Sequence, residues 1–212
     1  MKNNVLKYLL LLCISITAHA QVLPLYPYSV KEVNNAYYQD IDSVRNQFVG
    51  TWVYNNGNEQ MKIRFRKLDH FLELSRTYSY HLDYLIGEMQ YKNSVGIEKF
   101  NSLANLNANH QSIHKYSMFS GSYQSNRDSP QCLNCTTNTR RLFMWYNEPD
   151  VDDLTLKGEW AMRVVIENGI TKLKVQYKMH TAPIGFSKFD SNLTASKTKH
   201  DFPYGDYTFI KE

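Results

Sequence analysis

Cys132 and Cys135 stand three apart in a polar stretch running from Ser125 to Thr139, and His110 and His114 stand four apart shortly before it. A Cys-x-x-Cys pair supports a local disulfide, a thiolate redox couple or half of a zinc site. In an oxidising compartment the expectation is the disulfide, which closes a tiny loop and pins its shape more than it stabilises the fold. A redox thiolate needs a helix N-terminus behind it, and the Ser, Asn, Thr and Pro residues around this pair predict no helix. Zinc is the alternative, with His110, His114, Cys132 and Cys135 as four N and S ligands. Along a strand, histidines four apart would be separated by about 13 Å, so that site requires 105–114 to be helical or looped. The run Glu148, Asp150, Asp152 and Asp153 offers carboxylates for calcium but lacks EF-hand spacing, and it reads as a solvated turn.

Catalytic motifs are missing. Ser120-Gly121-Ser122 is not a nucleophile elbow, there is no His-Glu-x-x-His, and no Gly-rich phosphate loop follows a strand. A catalytic set would have to be assembled from distant strands, so the expectation is a non-enzyme without a cofactor.

The elements that must position these residues are strands. Phe48, Gly50, Trp52 and Tyr54 alternate on one face, Asn55-Asn56-Gly57-Asn58 turns, and Met61, Ile63 and Phe65 return between Lys62, Arg64 and Arg66. Such period-2 alternation marks a hairpin with one buried face, and the Asn-Gly turn supplies residues that tolerate positive φ. A second hairpin carries Leu154, Leu156, Gly158, Trp160, Met162, Val164 and Ile166 outward and Leu173, Val175, Tyr177 and Met179 back across Glu167-Asn168-Gly169. Further strands are expected near 69–77, 80–92, 97–103, 113–124, 141–146 and 206–211. Val30, Val33, Tyr37, Ile41, Val44 and Phe48 recur at helical spacing and predict a helical segment within 30–46. Eight to ten strands with little helix indicate an all-β antiparallel barrel or sandwich. Trp52, Tyr54, Phe65, Trp160 and Tyr177 then face inward, as core or as the lining of a lumen.

Residues 1–20 read as a signal peptide: Lys2 and Lys7, an apolar run to Thr17, and Ala18-His19-Ala20 before Gln21. Cys13 offers a lipoprotein alternative, with Leu12 where a small residue would be expected. The expected domains are therefore the leader at 1–20, an extended lead-in and helical segment at 21–47, and a barrel at 48–212. Export to the periplasm, the envelope or the medium follows, with no transmembrane segment after removal of the leader. The formal charge of +4 includes Lys2 and Lys7, and no basic stripe of the kind nucleic acid requires is present.

Gly50-Thr51-Trp52, on a first strand after a short helical segment, resembles the opening of a lipocalin-type (calycin) barrel. The resemblance implies eight up-and-down strands, a tryptophan across the barrel floor, one small apolar ligand inside, and an Arg from the final strand over the Trp ring. Asp206 to Lys211 contains no Arg. The succession Tyr37-Tyr38-x-Asp40, Phe48-x-Gly50-Thr51-Trp52-x-Tyr54, Gly87-Glu88-x-Gln90-Tyr91 and Tyr207-Thr208-Phe209-Ile210-Lys211 is similar to a family of small exported bacterial proteins known only as a domain of unknown function. That resemblance implies bacterial origin and a lipocalin-like sheet, and no activity. Two functions are expected in turn: non-catalytic binding of a small apolar or amphipathic ligand in the barrel, or a filled barrel whose surface contacts a protein or glycan of the envelope. The sequence is silent on oligomeric state.

Overall fold

The computed structural model describes residues 21–25, 33–74, 77–149, 157–180 and 199–212. The expected leader with Cys13, together with Asp150, Asp152, Asp153, Leu154 and Leu156, lies outside the described residues. The strands are β1 (Val22–Pro24), β2 (Tyr37–Gln39), β3 (Gly50–Asn56), β4 (Glu59–Leu74), β5 (Ser79–Lys92), β6 (Glu98–Asn101), β7 (Met118–Gln124), β8 (Arg141–Tyr146), β9 (Gly158–Glu167), β10 (Ile170–Met179) and β11 (Gly205–Lys211). Short 3-10 helices occupy Val44–Phe48, Leu103–Asn107 and Ile113–Lys115.

The described residues divide into two compact units: one formed by those up to Ile41 with those of His70–Asp83, the other by those of Asp42–Asp69 with those of Tyr84–Glu212. In the first, β1 pairs in parallel with β2, and β2 in parallel with the start of β5 through Tyr37–His81 and Tyr38–Leu82. Leu25, Ala36 and Tyr38 form its core, with Leu23, Val33, Tyr80 and Leu82 packed against them. The helical spacing read over 30–46 is not realised as an α-helix in the described part. Tyr37–Gln39 is a strand and the helical turn is the 3-10 segment Val44–Phe48. Asn34 and Asn35 form a turn, with Asn35 at φ 60°, and poor helix formers of this kind yield to local side-chain and sheet bonding.

The second unit is a closed antiparallel barrel of eight strands in the order β5-β4-β3-β11-β10-β9-β8-β7, with β7 returning to β5 through Ile86–Phe119 and Gly87–Met118. Closure removes exposed edges. Inward residues alternate as the sequence predicts for Met61, Ile63 and Phe65 on β4, Trp160 and Met162 on β9, and Leu173, Val175 and Tyr177 on β10; Leu85, Met89 and Tyr91 on β5 join them in the same core. Each such burial contributes roughly 1.5–3 kcal/mol before entropy is counted.

The Gly-x-Trp element closes one part of this core. Phe48 ends the 3-10 turn instead of starting the strand, and its carbonyl accepts the Trp52 indole N–H at 2.7 Å. In the place where the lipocalin resemblance implied an Arg, Lys211 carries Nζ to 5.2 Å from the Trp52 ring centre, a cation–π contact. Gly50 has φ +122°, and a Cβ there would meet the Lys211 stem at 3.2 Å. The glycine is what lets that cation reach the ring.

Candidate functional site

Trp52, Phe65, Trp160 and Tyr177 are all buried in a single cluster inside the barrel. Tyr54 is half-buried and packs at the cluster's edge against Tyr207 at 5.2 Å and Phe209 at 5.8 Å. The residue that sequence reasoning missed is Phe202. It precedes β11, is fully buried, and stacks face to face on Tyr177 with centres 4.7 Å apart and planes 5° apart. Trp160 and Tyr91 each lie 5.5 Å from its ring, and Tyr207 lies at 4.8 Å. The alternation His200, Phe202, Tyr204 just ahead of β11 was the available signal.

His200, also buried, faces the same aromatic group. The Tyr177 hydroxyl meets its Nδ1 in a short hydrogen bond, and the Tyr204 hydroxyl lies 3.2 Å from the same nitrogen. Burial first, then the neighbouring Tyr146, pushes the Tyr177 phenol far above its usual range. Burial and then Glu148 do the same to Tyr146. These hydroxyls remain protonated and do not act as phenolate bases. Two interior donors, the Tyr146 hydroxyl and the Trp160 indole N–H, are buried without a hydrogen-bond partner among the described residues.

Outside the barrel wall lies a second arrangement. Cys132 and Cys135 are joined as a disulfide with Cα atoms 5.4 Å apart. The loop carrying them is fastened by Arg141, whose side chain is almost fully buried. Its guanidinium donates to the carbonyls of Ser125 at 2.7 Å, Asp128 at 2.9 Å and Pro130, and to Gln176 Oε1 at 2.6 Å. Gln176 in turn donates to the Gln131 carbonyl at 3.3 Å. Between loop and wall is an open cleft of about 580 Å³, lined by residues of β8 to β11 and of the loop.

The zinc alternative is not assembled. His110 Nε2 lies 2.7 Å from Asn105 Oδ1, His114 packs edge-on to Phe119, and both cysteine sulfurs are bonded to each other. Among the described residues no group of three or more His, Cys, Asp or Glu is placed to hold a metal ion. Glu148, the described member of the acidic run, is buried and accepts the Asp201 N–H at 2.7 Å.

Two other buried carboxylates act as fasteners. Glu88 accepts from the Ser117 N–H at 3.0 Å, the Ser117 hydroxyl and Asn105 Nδ2 at 2.7 Å, which ties the 102–117 crossover to β5. In the first unit, Asp83 accepts from the Tyr37 hydroxyl at 2.7 Å and from the N–H groups of Asp40 and His70. Above it the His70 and His81 rings stack at 3.9 Å. Burial, and then His70, holds the His81 imidazole below its ordinary range.

An eight-stranded closed barrel, packed with its own aromatic side chains and bearing a loop-covered cleft on its wall, is the class that the fold and these sites define. Within that class the chain belongs to a family of unknown function (DUF6705), whose model matches residues 1–212. No curated protein and no solved structure matches it. Among the described residues no helix is long and apolar enough to cross a membrane.

Proposed function

We propose that this protein is an exported, non-catalytic interaction module of the bacterial envelope, which meets its partner on the outside of the barrel. The observation that supports this reading is Phe202: its ring stands among Tyr91, Trp160, Tyr177 and Tyr207, where a lipocalin would hold its ligand. A barrel filled in this way has its wall and loops left for recognition.

A second reading has an observation of its own. The Tyr146 hydroxyl and the Trp160 N–H are buried without partners among the described residues, and a flat ligand with hydrogen-bond acceptors that displaced Phe202 would satisfy them.

Native mass spectrometry of protein purified from the envelope, compared with denatured protein, separates the two readings. The outer-wall reading expects the folded chain to carry no small molecule and to co-sediment with isolated envelope glycan or protein. A small molecule that travels with the fold and is lost on unfolding would establish the lumen reading instead.

A further inference from the structure

The outer wall beneath the disulfide loop carries three cations on adjacent strands. Arg163 on β9 is the direct cross-strand partner of Lys174 on β10, and Lys174 faces Thr208 on β11. Arg141 opens β8 one residue before the Leu142–Met162 pair. Burial holds its guanidinium below the usual range; Asp128 opposes that shift and the charge of Arg163 adds to it. Like charges placed directly across a ladder repel, and a sheet carries such a pair at a cost.

The compensation within the protein is incomplete. Beyond its place in the backbone ladder, the Arg163 side chain enters no hydrogen bond or ion pair among the described residues. Lys174 shares Glu167, at 3.3 Å, with Lys172 at 2.9 Å, so one carboxylate serves two ammonium groups. Arg141 meets neutral oxygens with its terminal nitrogens, and its buried Nε has no partner among the described residues. Asp206 also lines the cleft, facing Gln176 on the neighbouring strand. With Lys172 counted, four cations therefore draw on three carboxylates, Glu167, Asp206 and Asp128, and the half-buried Arg163 presents a planar fork of the kind that takes an oxyanion in two parallel hydrogen bonds.

The cleft is also much larger than one oxyanion. Its volume of about 580 Å³ falls in the range of sites for whole small molecules. Gln131, Asn134 and Thr208 add amide and hydroxyl groups to the lining. We propose that this cleft binds an acidic saccharide, with Arg163 and Lys174 holding its carboxylate or sulfate group and Thr208, Gln131 and Asn134 meeting its hydroxyls. The inference rests on the outer-wall reading and specifies its ligand class.

Calorimetric and NMR titrations of the full, oxidised chain test it with four probes of known structure: an oligomeric uronate, a sulfated oligosaccharide of equal length, the neutral oligosaccharide, and inorganic sulfate. The expected result is saturable binding of the uronate, the sulfated sugar or both, with shifts at 163, 174 and 208. Arg163→Gln should weaken it at least tenfold, and so should half-molar salt. Which acidic sugar binds more tightly identifies the oxyanion. Lys174→Gln is the second variant should Arg163→Gln fail to fold. Equal binding of the neutral sugar, equal binding of inorganic sulfate, indifference to both variants, or no saturable binding by any probe would each overturn the assignment. If envelope co-sedimentation persists in Arg163→Gln while acidic sugars do not bind, this inference alone fails. If co-sedimentation is itself absent, the outer-wall reading has failed.

Discussion

Gly50-Thr51-Trp52 and Gly158-Glu159-Trp160 share a spacing, and the same two residue types serve different physical needs. Trp52 is bonded to the Phe48 carbonyl and covered by Lys211, whereas Trp160 Nε1 has no hydrogen-bond partner among the described residues. Gly50 is required by its backbone, at φ +122°. Gly158 is required by its neighbours, since a Cβ there would come within 2.6 Å of the Tyr177 ring. Gly50→Ala therefore imposes backbone strain and crowds the Lys211 stem together, and should lower stability by about 1–3 kcal/mol, read as a shifted denaturant midpoint at unchanged slope. Trp52 was legible as a core residue because the alternation around Gly-x-Trp is local in sequence. Its cation was not, because Lys211 lies at the far end of the chain and an Arg was the residue sought.

At the scale of elements, hairpins were the most legible feature. The β3–β4 and β9–β10 pairs follow directly from period-2 alternation around Asn-Gly turns. The extent of β4 was not: the sequence suggested a break before 69, yet one strand runs from Glu59 to Leu74 through His70 at φ 56°. The contacts that keep this stretch in place, Asp83 to the His70 N–H and His70 stacked on His81, join residues of two strands. They leave no local pattern.

A pH dependence follows for this unit. His81 has a folded pKa below the unfolded value of 6.5, so the unfolded chain binds the proton more readily. The unit should keep its full stability above that value, lose some as pH falls through it, and level off below the lowered folded value. Hydrogen exchange at the 37–39 and 80–82 amides should accelerate between pH 8 and pH 5 relative to the intrinsic rate, and His81→Phe should flatten the dependence.

For the whole molecule, the deciding feature is what fills the barrel. All five residues expected inside lie in or against one cluster, so the inward face was readable from alternation. That Phe202 joins this cluster was harder to read, because the alternation His200, Phe202, Tyr204 is short and lies ahead of the strand Gly205–Lys211. Phe202→Ala should cost about 3–5 kcal/mol if the space stays empty. The cavity it leaves beside Tyr177 and Trp160 should bind a small aromatic probe such as indole, seen as a rise in melting temperature with probe concentration. Unchanged stability without probe binding would mean that neighbouring rings collapse into the space. The cleft was equally out of reach, since Arg141, Arg163 and Lys174 become neighbours only through strand pairing.

The pairing of β11 with β3, Val53 beside Ile210 and Trp52 beside Lys211, sets the order in which the ring can be completed. Among the described strands β3 is the first of the barrel to leave the ribosome and β11 the last. Until both exist, β3 and β10 each keep an open edge able to recruit another chain. Contacts this distant in sequence make folding slow, so the nascent molecule spends its longest vulnerable period nearly complete but unsealed. A chaperone acting on it would have to hold it through that interval, and a chain shortened before residue 205 would remain a template for aggregation.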